Sequence, residues 1–369
     1  MKKGLKYCII ICLCLIVAGS VLVGIGILNG GTVSYRVDFQ NHKLRTRTYN
    51  SEDYIEKTID VDNFSKLQLN VDTTDVEIRK GKNYQVSYNL PKEEIPSIEV
   101  KDQTLIVSGE KNGSSHFSTV CIVDIGEHDE KNRDSIIITV PEDAEILKAG
   151  VSVESGDIQL KDMVCDTIDI SGESGEIEVS NVTSDYANIS SESGDISLEN
   201  VKLKECNIVN EYGELLGDTI VGEKAVFDCE SVECELKNLE INDLHMSNKY
   251  GEVVMEESTA NICEIDGESS EIRMEDCKGD VLQVDAEYGD VVIEKSMWNQ
   301  IQTICESGEV EIGLIGKLSE YDLDLTAECG EININGKDNG EKCKDISNRE
   351  KSISIENEYG DVNISIKEN

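Results

Sequence analysis

From residue 149 onward, short apolar pairs alternate with short polar breaks. Two apolar residues stand seven and five places before each break's centre, as Ile168 and Ile170 do before Gly175. Two more stand two and four places after it, as Ile177 and Val179 do. Each pair has period two, the mark of a strand with one buried face. A third apolar position follows seven after the centre, for example Val182. The centre, called the anchor below, recurs every 19 residues at Gly156, Gly175, Gly194, Gly213, Val232, Gly251, Ser270, Gly289 and Gly308. Gly330 and Gly360 continue the series after steps of 22 and 30. One unit cannot bury its own apolar pairs, but units stacked at the ~4.8 Å strand spacing bury them in a continuous column. The pattern predicts an all-β fold, a β-solenoid (β-helix) of about eleven 19-residue coils over residues 149–369. The anchor glycines are expected to be its structural turns. Small residues three before the anchor, such as Gly172, Ser191, Cys229, Ala286 and Ala327, suit a corner there.

Ahead of the repeats the pattern loosens. Residues 63–78, "NFSKLQLNVDTTDVEI", read as a diverged coil centred on Thr74. Three or four strands follow, and residues 111–134 read as a polar loop. Residues 63–148 are therefore expected to form an N-terminal β cap over the solenoid's edge, which would otherwise be open to pairing. At the other end, residues 337–351 are expected to fold over the edge, or two copies to meet there as a homo-oligomer. Residues 7–28, "YCIIICLCLIVAGSVLVGIGIL", carry no charge and follow a short basic stretch, 1–6. As a helix they would cross the ~30 Å hydrocarbon core. They are expected to be a single transmembrane anchor, with residues 29–62 a juxtamembrane linker and the bulk of the chain outside the cell membrane.

Charge narrows the partners. The formal net charge is −41. Residues 1–50 hold seven Lys and Arg against Asp38 alone, +6, so residues 51–369 carry −47. Such a body repels nucleic acid and anionic lipid. It leaves cations, basic proteins or neutral glycans as partners.

Four sets of side chains are candidates for chemistry. One place after the anchor every unit is acidic: Asp157, Glu176, Asp195, Glu214, Glu233, Glu252, Glu271, Asp290, Glu309, Glu331 and Asp361. Stacked in water, adjacent like charges repel by about 0.9 kcal/mol at the strand spacing. The row reads as a solvated face or as a ladder for Ca2+, a hard cation that takes 6–8 oxygens; no other cofactor is implied. One place before the anchor, Tyr212, Tyr250 and Tyr288 alternate with Ser231, Ser269 and Ser307, and Tyr359 closes the series. These rings are a candidate surface-contact row for sugar faces, or a large/small packing alternation. Of the 13 cysteines, Cys305 and Cys329 are expected on adjacent coils and form the best candidate disulfide; most others read as small buried hydrophobes. Catalysis has little support. His42, His116, His128 and His245 have no partner pattern, "GESGE" around Ser174 does not satisfy G-x-S-x-G, and Trp298 reads as packing. No enzymatic activity is expected; a solenoid carbohydrate-active enzyme and a self-assembling scaffold are the rival readings.

The order "FSKLQLNVDTTDVEI", "LIVSG", "IIITVP" and then multiple "SGDI"-type repeats, behind one hydrophobic segment, resembles the bacterial putative-adhesin or "toastrack" β-strand-repeat proteins. The resemblance covers roughly residues 60–369. It implies a cell-envelope location and a non-enzymatic role, either interaction and adhesion or sensing of envelope stress. The long uniform repeat and the many cysteines depart from that family's pattern.

Overall fold

The computed structural model describes residues 33–38, 43–47, 54–109, 123–125 and 134–368. The expected span 7–28 lies outside them. Among the described residues no helix is long and apolar enough to cross a membrane. The chain divides into two compact units. The smaller comprises Met1–Lys57, Asn89–Ile95 and Glu110–Asp134. Its strand Val33–Asp38 pairs antiparallel with Lys43–Arg47 on one side and Val123–Ile125 on the other. Strands thus occur in both the expected linker and the expected loop.

The larger unit, Thr58–Tyr88, Pro96–Gly109 and Ser135–Asn369, is an all-β parallel stack. Coils are named here by their anchors. From the Gly156 coil to the Gly308 coil every printed pairing but one local bulge keeps the 19-residue offset, as in Ile168↔Ala187 and Ile262↔Val281. The predicted columns are the core: Ile168, Ile170, Ile177, Val179 and Val182 are all buried, and so are their counterparts above and below. Burying such side chains is worth roughly 1.5–3 kcal/mol each. That gain exists only when a neighbouring coil supplies the rest of the column.

At both ends the spatial order departs from the chain order. Lys66–Val71 and Asp75–Gly81 make a full coil anchored on Thr74. It stacks directly on the Gly156 coil through Leu67↔Ala149 and Val76↔Ile158. Thr104–Ser108 and Ser135–Pro141 then lie on its other side, through Leu67↔Leu105 and Val76↔Ile136. The diverged coil is thus an inner layer, not part of a separate cap. At the other end residues 351–367 insert between two earlier coils. Ile353 pairs with Ile301 on one face and with Leu323 on the other. Val362 likewise pairs with Val310 and Ile332. The stack therefore runs Gly308, Gly360, Gly330. The outer edge of the Gly330 coil is covered antiparallel by Lys342–Asp345 and Lys337–Asp338, as the surplus residues there led us to expect. Asp322 fixes this cover. It accepts the backbone N–H of Ser347 (2.8 Å) and of Arg349 (3.1 Å), and the Arg349 guanidinium at 3.1 Å.

Candidate functional site

Each coil bends twice. At the anchor, the backbones of successive coils come so close that a Cβ on Gly175 would overlap the carbonyl oxygen of Gly156. Gly175 also has φ +125°. Gly194 meets the same obstruction from Gly175 without a positive φ, so close approach is the more general demand. The remaining anchors, Gly156, Gly213, Gly251, Gly289, Gly308, Gly330 and Gly360, are crowded in the same way. Val232 and Ser270 occupy this place with their side chains buried.

The second bend, six places after the anchor, was not anticipated. Asp162, Asn181, Asn200, Thr219, Asn238, Glu257, Asp276 and Lys295 all have φ between +49° and +59°. Asn and Asp tolerate this region because their short polar side chains bond locally. Here they also bond between coils: Asn181 Nδ2 donates to Asp162 Oδ1 (3.0 Å), and Asn200 Nδ2 to Asn181 Oδ1 (2.7 Å). The Asp/Asn enrichment of that column was the available signal.

The acidic row is brought together as a column, but its members differ. Each aspartate in it accepts the backbone N–H of the acidic residue on the next coil. The bonds are Asp75 to Asp157 N (3.1 Å), Asp157 to Glu176 N (3.0 Å), Asp195 to Glu214 N (2.9 Å), Asp290 to Glu309 N (2.8 Å) and Asp361 to Glu331 N (2.9 Å). An Asp carboxylate reaches one strand spacing away; the Glu carboxylates of the row, one methylene longer, do not make this bond. Basic residues temper Glu252 and Glu271 of the row and the acidic residues Glu178 and Glu230 outside it. Lys161 pairs with Glu178 (3.0 Å), Lys249 with Glu230 (3.4 Å), and Arg273 with both Glu252 and Glu271. Burial, and then the Asp157 charge, hold the Glu176 carboxyl above its ordinary range. Among the described residues no three His, Cys, Asp or Glu side chains converge to hold a metal ion.

The tyrosine row is exposed. Tyr212, Tyr250, Tyr288 and Tyr359 each keep about half their surface in solvent (52, 48, 54 and 59 %). Beneath three of them sits a buried asparagine that sequence reading missed, at the corner position three before the anchor: Asn210, Asn248 and Asn357. Asn248 Nδ2 donates to Val232 O (2.9 Å) and Asn357 Nδ2 to Gly308 O (2.9 Å), each tying its corner to the coil below. Their Oδ1 atoms find no protein partner among the described residues.

All nine cysteines within the described residues are free. The expected Cys305–Cys329 disulfide does not form. The Gly360 coil lies between the two, with Asn357 beside Cys305. Burial pushes Cys165 and Cys277 up to about 11 and Cys206 up to about 12, so these thiols stay protonated. Trp298 is buried, its ring lying over Gly279, where any side chain would collide with it. Tyr321 donates to its carbonyl oxygen at 2.9 Å.

These features define a parallel β-solenoid whose corners are held by inter-coil hydrogen bonds and whose outer face carries side chains at a fixed pitch. The toastrack (DUF4097) family model matches residues 64–226 and 218–365, and the chain belongs to that family. No curated protein sequence matches it. Among solved structures, a putative adhesin from Bacteroides fragilis is 13% identical, with 85% of this chain and 97% of that one covered at a TM-score of 0.30. A putative cell adhesion protein from Clostridium sporogenes is 14% identical, covering 85% and 99%, at 0.18. A putative lipid binding protein from Parabacteroides distasonis is 12% identical, covering 84% and 96%, at 0.29.

Proposed function

We propose that this protein is a non-enzymatic interaction module of the cell envelope. It is anchored by residues 7–28 and presents the solenoid outside the membrane. The observation that carries this reading is the row of exposed tyrosine rings, held at the same corner of every second coil of the stack. Large exposed aromatics on a scaffold of otherwise charged surface mark contact with a partner. Support also comes from the uncharged segment 7–28 and from the absence of a catalytic residue pattern in the sequence.

Cys329, exposed on the Gly330 coil, is a built-in reporter. Intact cells making the full chain are treated with a membrane-impermeant maleimide, with Cys329→Ser as background. Labelling before lysis is the expected result. Labelling only after lysis places the stack inside the cell and sinks the reading.

A further inference from the structure

The tyrosine row has a hidden regularity. In sequence Tyr212, Tyr250 and Tyr288 are spaced evenly, but Tyr359 is far out of step. The inserted coil removes the discrepancy. Ser307 pairs with Tyr288 on one side and Tyr359 on the other. Four rings therefore stand on every second coil, about 10 Å apart by the strand spacing. A second column has the same period. Three places after the anchor, an outward position between two buried ones, the first three tyrosine coils carry half-buried Leu216, Val254 and Val292. The intervening coils carry Glu235, Arg273 and Glu311 there, and the Gly360 coil carries Asn363. Alternating ring and hydroxyl is ordinary packing; a matching alternation of aliphatic and charged residues on an outer face is not required by packing.

The geometry points to a binding face for an extended amino-sugar polysaccharide of the chitosan type, laid along the stack with one sugar ring on each tyrosine. This rests on the reading of the solenoid as an interaction module. In such a polymer successive sugars are rotated by half a turn, so the same sugar face recurs every second residue, close to the two-coil pitch. The charge around the rings selects amines. Tyr212 is flanked by Glu211 and Glu214, Tyr288 by Glu287 and Asp290, and Tyr359 by Glu358 and Asp361, whereas Tyr250 stands between Lys249, paired to Glu230, and Glu252, paired to Arg273. Carboxylated or phosphorylated polymers are repelled there, whereas an ammonium is attracted by the carboxylates and by the ring face. Rings fixed at the ligand's own spacing bind as linked sites on a preorganised surface, so weak single contacts multiply.

The test is calorimetric titration of the purified full chain with a glucosamine hexamer of the chitosan type. Measurable binding that weakens with added salt is expected. Tyr250→Ser copies the serine native to the same corner of the flanking coils, so the fold is kept. With Tyr288→Ser added, affinity is expected to fall on the order of tenfold or more as linked contacts are lost. The decisive variant is Tyr250→Ser with Ser269→Tyr, which keeps the number of rings but moves one by a single coil. It is expected to bind as weakly as Tyr250→Ser alone. Wild-type affinity in that register variant, or no binding of the hexamer, overturns the proposal. Equal affinity for the fully N-acetylated hexamer overturns the selection of amines. Tyr250-dependent binding of an oligolysine peptide without binding of the hexamer overturns it in favour of a basic protein segment. A chain that is labelled on intact cells but ignores the hexamer loses this inference and keeps the broader function.

Discussion

At the scale of single residues, aspartate and glutamate do different work in one column. Asp195 bonds to the next coil's backbone and Glu214 does not, a distinction of one methylene. Asp195→Ala is therefore expected to lower stability by about 1 kcal/mol, the net value of one hydrogen bond. Asp195→Asn retains an acceptor and sheds a repelled charge, and Glu214→Ala breaks no such bond, so both are expected to be near neutral. Urea midpoints of the three variants decide the matter, and equal midpoints for Asp195→Ala and Glu214→Ala would remove the role of the Asp195 hydrogen bond. Glu176 makes a prediction with pH. Its folded pKa is raised, chiefly by burial and then by Asp157. As pH falls from neutral, the folded chain takes up that proton before the unfolded chain does. This residue's contribution to stability therefore grows on mild acidification and is complete below the ordinary carboxylate range. Comparison of wild type with Glu176→Gln across that range isolates it: the difference between them is expected to shrink as pH falls.

At the scale of elements, the inserted coil is the main result. Its strands supply the partner that the Gly308 coil needs and the floor on which the Gly330 coil rests. The order is testable with cysteine pairs, since a disulfide tolerates Cα separations of only about 4.4–6.8 Å. Gln302 pairs with Ser354, and Ser354 with Asp324. Gln302→Cys with Ser354→Cys is expected to oxidise to a disulfide. Gln302→Cys with Asp324→Cys, two strand spacings apart, is expected to remain reduced. The reverse outcome, read by gel shift after thiol blocking, restores simple chain order. The cover over the outer edge is itself sensitive to acid. The backbone N–H of Ser347, with Arg349, holds the Asp322 carboxyl below its ordinary range, so its contribution is lost as pH falls through that lowered value.

At the scale of the whole molecule, the solenoid is a one-dimensional stack with its ends locked from within. The Thr74 coil and the Gly360 coil each lie one layer inside an end, so neither can peel away without disturbing two neighbours. A further consequence concerns thiols. Seven of the nine cysteines described are buried in the stack, and only Cys329 and Cys343 reach solvent. Thiolate is the reactive form, and burial suppresses both its formation and its access. With Cys8, Cys12, Cys14 and Cys121 replaced by serine, two thiols are expected to react with an aromatic disulfide reagent in the native state. The other seven should appear together on denaturation. Gradual release of the seven in native buffer would mean that coils open one at a time.

The sequence by itself determined the repeat, the strands, the buried columns and the crowded corner, because each follows from local spacing that every coil repeats. Ile168 and Ile177 are legible as core from period two alone, and Gly175 as a corner from its recurrence. The asparagines at the second bend were legible too, had propensity for the left-handed region been weighed. What only the tertiary structure decided is which coil lies against which. Gly308 could have been followed in space by Gly330 as it is in sequence. The identical columns of all coils make either order equally compatible with the pattern, and the surplus residues 337–350 give the chain enough length to return. That choice set the rest: it separated Cys305 from Cys329, placed Tyr359 in step with Tyr212, Tyr250 and Tyr288, and turned three spaced rings into a row of four.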